Sequence, residues 1–141
     1  MGVRLADLAV GQEVARGALS VDRARLVRYA EASGDQNPIH QDEAAALAVG
    51  LPGVIAHGMW TMGAAVQVVV DWLGDPGLVV SYGTRFTRPV PVPTAGEATP
   101  LVVATVGAVS PAEGTARIDL DVTLDGSRVL GKAQVVVRLA A

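Results

Sequence analysis

Asp35 and His40 lie close together in the segment SGDQNPIHQDE, which runs from Ser33 to Glu43, and they place a carboxylate and an imidazole on one short stretch of chain. An imidazole titrates near pH 6.5, so it can take or give a proton around neutrality, and a neighbouring carboxylate completes an acid-base pair. The same residue types also make a stable turn with no chemistry at all. The chain's other histidine, His57, stands in AHGM, Ala56 to Met59, where Gly58 opens a long apolar run. The first N-H groups of a helix lack internal partners and lie at the positive end of its dipole, and glycine there lets a ligand approach the backbone. Such a tip can hold an oxyanion, each well-placed donor being worth about 2.7 to 4 kcal/mol in a transition state. Read more plainly, Gly58 is a helix cap and His57 a packing residue. No His-x-x-x-His or cysteine spacing supports a metal site, and none is expected. Arg85 and Arg88 stand just before a proline-rich rim, where they serve either as a solvated edge or as a grip for a phosphate-bearing substrate.

The elements that must position these groups are legible from caps and periodicity. A short strand is expected from Glu13 to Leu19 after a turn at Gly11. Ser20 or Asp22 then caps a helix running to about Ala32, which Gly34 ends. Pro38 fixes its own φ and pushes Asn37 toward extended geometry, so Asp35 and His40 sit on a loop rather than on one helical face. Asp42 caps a short helix from Glu43 to Val49, broken by Gly50 to Gly53. Gly58 to about Trp72 is apolar nearly all round and valine-rich, and its length favours a helix of about 22 Å over a strand. A helix without a polar face must be wrapped. Four further strands, Leu78 to Phe86, Ala98 to Val109, Thr115 to Leu124 and Arg128 to Leu139, are separated by turn-rich segments and supply that wrapping. Five strands joined late in the chain by tight turns indicate an antiparallel α+β sheet curled around one long apolar helix.

At 141 residues the chain is read as a single domain spanning residues 1–141. Half its residues are hydrophobic but only 4% are aromatic, so the core must be built from Val, Leu, Ala and Ile packed closely with Gly. A net charge of −3 argues against nucleic-acid partners, which require Lys and Arg to neutralise phosphates. The absence of cysteine excludes disulfides and thiolate nucleophiles and suits a reducing compartment. The charged N-terminal residues make a poor signal peptide, and the apolar run from Met59 to Leu73 is interrupted and too short to span a bilayer. A cytoplasmic protein with no membrane partner is expected.

The segments YAEASGDQNPIHQD, Tyr29 to Asp42, and GVIAHGM, Gly53 to Met59, resemble the hydratase 2 motif of the MaoC-like (R)-specific enoyl hydratases and dehydratases. The resemblance runs along the whole chain, including VVSYGTRFTRPVPVP from Val79 to Pro93, and is strongest to the catalytic B subunits of (3R)-hydroxyacyl-ACP dehydratases. It implies the hot-dog fold, with catalytic Asp35 and His40, an oxyanion-hole Gly58, and Asn37 and His57 positioning the substrate. One departure is visible, because some members carry a serine near the active centre where this chain has Gly63. The implied reaction is reversible syn elimination of water from a (3R)-3-hydroxyacyl thioester of CoA or acyl carrier protein (ACP), as in fatty-acid elongation, with no cofactor. The implied partner is a second hot-dog subunit, giving a homodimer or a heterodimer with a noncatalytic sister. Contact with an acidic carrier would fall to Arg85, Arg88 and Lys132 or to the Arg25/Arg28 face. A hot-dog thioesterase and a noncatalytic acyl-binding subunit remain the competing readings.

Overall fold

The structure, a computed structural model, describes residues 2–141. Strand β1 (Glu13–Ala18) leads into helix α1 (Arg23–Ser33), short helix α2 (Glu43–Ala48) and long helix α3 (Gly58–Leu73), followed by β2 (Val79–Phe86), β3 (Leu101–Ser110), β4 (Thr115–Leu124), β5 (Ser127–Arg128) and β6 (Leu130–Arg138). The strands form one antiparallel sheet in the order β1-β3-β4-β6-β2, with β5 paired to β4. Strands β1 and β2 are its edges.

The helix boundaries follow from their caps. Asp22 accepts the Arg25 N-H, Asp42 accepts those of Ala44 and Ala45, and Gly34 and Gly74 end α1 and α3 in left-handed geometry that only glycine adopts without cost. Strict alternation decides the sheet's two faces. Val102, Ala104 and Val106 of β3, Ile118, Leu120 and Val122 of β4, and Ala133, Val135 and Val137 of β6 are buried and turn inward. Against them α3 lays the row Thr61, Ala65, Val69 and Leu73, one residue per turn. Where α3 meets β1, Gly17 supplies the clearance, since a Cβ there would stand 3.1 Å from Val68 Cγ2.

Three expectations are corrected. The sheet has six strands rather than five, because the last expected strand is split: Ser127–Arg128 closes the hairpin with β4, and β6 begins at Leu130. The break is at Val129, whose N-H donates to Val122 O while its carbonyl accepts from Thr87 and Arg88; further on, inside β6, Lys132 takes a φ of 46° where the pairing with β2 shifts register. Strand β3 begins at Leu101, not Ala98, because Pro100 has no N-H to donate, and Ala98 pairs with Val21 as an isolated bridge instead. The sheet also covers α3 on one face only. Met59, Gly63, Gln67 and Asp71 form an outward row, with Gln67 donating to Asp71 at 2.7 Å. Among the described residues no helix is long and apolar enough to cross a membrane.

Candidate active site

The loop between α1 and α2 is stitched by its own polar side chains. The Asp35 N-H donates to Ser33 Oγ, the Asn37 N-H to Asp35 Oδ1 at 3.1 Å, and the Ile39 N-H to Asn37 Oδ1 at 3.2 Å. Pro38 then starts a single 3-10 turn, Pro38–His40, which swings the His40 side chain inward. Its ring is buried while Asp35 is half exposed.

His40 is anchored by the segment preceding α3. Its Nδ1 lies 2.7 Å from the Ile55 main-chain oxygen, and a carbonyl can only accept, so Nδ1 carries the hydrogen. In the neutral ring the lone pair is therefore on Nε2, 4.0 Å from Asp35 Oδ2. Residues 54–56 are themselves pinned: Ile55 donates to Ile39 O, Ala56 to Val90 O, and Val92 to Val54 O. Glu43 completes the bracing by accepting the Val54 N-H and an Arg23 guanidinium, while Arg23 also donates to Val92 O.

Asp35 and His40 face a cavity of about 480 Å³. Its lining is mostly apolar and includes Leu51, Ile55, Met59, Phe86, Val129 and Leu130, and the tip of α3 at Gly58 enters it. A Cβ on Gly58 would meet the Phe86 ring at 3.0 Å, so glycine here leaves room for the aromatic side chain lying across the helix tip. A second groove of about 540 Å³ between β1 and α3 contains no histidine.

Asn37 is not in the cavity lining, and its carboxamide oxygen is committed to Ile39 N-H, so it shapes the loop. His57 borders the cavity but is 1% exposed, which leaves almost no surface for a ligand. Its Nε2 meets the Asp35 main-chain oxygen at 3.1 Å, and its ring stacks on that of His40 with centroids 3.8 Å apart and planes at 22°. Burial, the foremost cause, holds its pKa below the ordinary histidine value. Arg88 reaches the cavity mouth, whereas Arg85 lies on exposed β2 outside the lining. Gly63 stands in the outward row of α3, away from the cavity; the hydroxyl-bearing residues that do line it are Thr87 and, on α3, Thr61, buried at 3% exposure. Thr61 was legible as the lone hydroxyl residue of α3. Phe86 and the Ile55 carbonyl carried no sequence signal.

Asp35, His40 and His57 also bring three ligating groups within 4.8 Å of one another. They do not suit a shared metal ion. A histidine ligates in the plane of its ring, and two nearly parallel rings 3.8 Å apart cannot aim both lone pairs at one point.

Residues 7–122 match the family model described as the MaoC like domain. Over 79 residues the chain is 43% identical to the 3-hydroxyacyl-thioester dehydratase X of Mycobacterium tuberculosis, covering 55% of this chain and 27% of that protein. A solved MaoC-like dehydratase superposes with a TM-score of 0.95 at 35% identity, over 99% of this chain and 43% of the other. The unliganded (R)-hydratase PhaJ1 of Pseudomonas aeruginosa superposes with a TM-score of 0.83 at 28% identity, over 99% and 88% respectively. The first two of these relatives are more than twice as long as the portion matched here. With the family model covering most of its length and the fold shared throughout, the chain belongs to the MaoC-like domain family.

Proposed function

We propose that this chain is a (3R)-3-hydroxyacyl thioester dehydratase, working reversibly as an (R)-specific trans-2-enoyl thioester hydratase. The observation that carries the reading is the 4.0 Å gap between Asp35 Oδ2 and His40 Nε2 at the wall of an apolar cavity. An oxygen atom about 2.8 Å from each fits that gap, so both groups can contact one hydroxyl or water at C3 of the substrate. In dehydration the C2-H bond breaks, its electron pair forms the C2=C3 double bond, and the C3-O bond breaks with a proton delivered to the departing hydroxyl. Asp35 and His40 share these two proton transfers as a coupled pair. As the C2 proton leaves, negative charge grows on the thioester oxygen, and the free N-H groups at the Gly58 tip of α3 stabilise it. The dehydratase and hydratase names of the relatives support the same reaction class.

The acyl chain occupies the apolar cavity, and Arg88 at its mouth meets a phosphate of the CoA or carrier-protein arm, with Arg85 as a more distant second contact. The partner is a second hot-dog subunit added along the free edge of β2, where Val80 and Phe86 are more than half exposed, with Met59 nearby at the tip of α3. Incubation with crotonyl-CoA tests the reaction. Loss of enoyl absorbance without free thiol supports it, whereas thiol release without hydration favours a thioesterase that sends water to the carbonyl carbon. Light scattering after size exclusion tests for a homodimer and copurification for a heterodimer, a 14.4 kDa monomer that captures no hot-dog subunit being the contrary result.

A further inference from the structure

The catalytic scheme uses Asp35, His40 and the tip of α3, and leaves His57 with no part in it. Yet His57 touches both halves of the pair. Its Nε2-H donates to the Asp35 main-chain oxygen, and among the described residues this is the one hydrogen bond tying the Gly34–Asn37 stretch to the base of α3. That stretch begins at Gly34, which ends α1 with a φ of 80°. The His57 ring backs the His40 ring face to face, and Tyr29 closes its edge at 4.7 Å and 61°. Nδ1 of His57 is buried with no hydrogen-bond partner, so a second proton there would have no acceptor and the geometry selects the neutral Nε2-H tautomer.

We propose that His57 is a positioning residue that sets the Asp35–His40 separation, clamping the Asp35 carbonyl and supporting the His40 ring while staying uncharged, so that His40 alone becomes cationic during turnover. The inference rests on the hydratase reading and extends it. Two stacked imidazoles 3.8 Å apart cannot both carry charge without strong repulsion, whereas a neutral ring offers its π face to an imidazolium. The titratable groups facing His57 are the His40 imidazole, the Asp35 carboxylate and the Tyr29 phenol, and of these His40 opposes and Asp35 favours a charge on it.

Two variants separate the clamp from the stack. His57→Gln keeps an amide N-H near the Nε2 position without the ring, and His57→Phe keeps the ring without the donor. Each is expected to lower kcat on crotonyl-CoA by about tenfold to a hundredfold, the scale of a misplaced reacting group, with KM within about twofold. Hydrogen exchange at the Asn37 amide should accelerate in His57→Phe and stay near wild type in His57→Gln. Nitrogen-15 shifts of the unmodified protein should show His57 as neutral Nε2-H at pH 7. Folded variants with kcat within about twofold of wild type, a rise in KM at constant kcat, or a protonated His57 at pH 7 would each overturn the proposal. If His57→Phe fails to fold, kcat of His57→Gln and the nitrogen shifts decide. Should the unmodified protein hydrate no enoyl thioester, the functional reading fails by that result, while the exchange and nitrogen measurements still judge the clamp on their own.

Discussion

His40 Nδ1 and the Ile55 carbonyl, 2.7 Å apart, fix which nitrogen of the His40 imidazole is free, and the free one points at Asp35. The local sequence supplies both partners: Pro38 turns His40 inward, and residues 54–56 are pinned to the 90–92 rim by backbone hydrogen bonds.

Asp35→Asn retains an oxygen for the Asn37 N-H, so the loop should keep its shape while losing its acid-base group. The expected result is a fall in kcat of at least about a hundredfold, with an unchanged melting temperature. Steady-state kinetics on crotonyl-CoA check it, and a loss under about fivefold contradicts the assigned role.

Gly58→Ala drives a methyl into the Phe86 ring, 3.0 Å away, and must push that ring into or out of the cavity. Because Phe86 is 55% exposed, the protein can accommodate the shift and stay folded. Activity should fall about tenfold or more through a displaced thioester oxygen. Adding Phe86→Ala should restore part of it if the ring is the obstacle, and the two-by-two comparison of kcat/KM measures that coupling.

Glu43→Gln tests the brace beneath Ile55. Chiefly through its bond from Arg23, the Glu43 carboxyl is held below the ordinary glutamate range, so the ionised form is favoured by folding. That contribution is present above about pH 4.5 and is lost as pH falls through the depressed native value. The melting temperature of the variant should therefore lie below wild type at pH 7, and the gap should close on acidification below pH 4. A gap that persists unchanged would point to lost packing instead of lost charge.

Tyr82 on β2 donates its hydroxyl to the Met62 carbonyl of α3 at 2.8 Å, and burial pushes its pKa up to about 12. Removing the bond with Tyr82→Phe should cost about 1 kcal/mol, read as a lower denaturation midpoint. Since the native state holds this proton more tightly than the unfolded chain, stability should decline as pH rises from about 10 toward about 12. Phenolate absorbance of wild type, with Tyr82→Phe subtracted, follows the titration directly.

Much of this arrangement could be read from residues alone, because caps and alternation act locally. Asp22, Asp42 and Gly34 bound their helices where the side-chain chemistry requires, and β4 alternates so regularly that its limits, Thr115 and Leu124, are those expected. Pairing of Asp35 with His40 was legible for the same reason, since one proline-stiffened turn connects them. What escaped depends on partners distant in sequence. Val129, whose carbonyl accepts from Thr87 and Arg88 some forty residues earlier, splits an otherwise continuous strand pattern. His57 looked like a group at the substrate because it precedes Gly58. Its real neighbours, the His40 ring and the Asp35 carbonyl, arrive from the other loop. The outward row of α3 was visible in Gln67 and Asp71, four residues apart, but valines on either side masked it.

The Ile55 anchor has a wider effect. It makes the imidazole a passenger of the same piece of chain that ends in the Gly58 helix tip, so the spacing between ring and tip is built in one casting. The Phe86 and Arg88 side chains come from another stretch of backbone, and of the proline-rich rim only Val90 and Val92 are bonded to residues 54–56. Under the proposed function, Phe86 and Arg88 can therefore change to suit longer, shorter or differently tethered acyl groups while the Val90 and Val92 backbone keeps His40 and Gly58 in place.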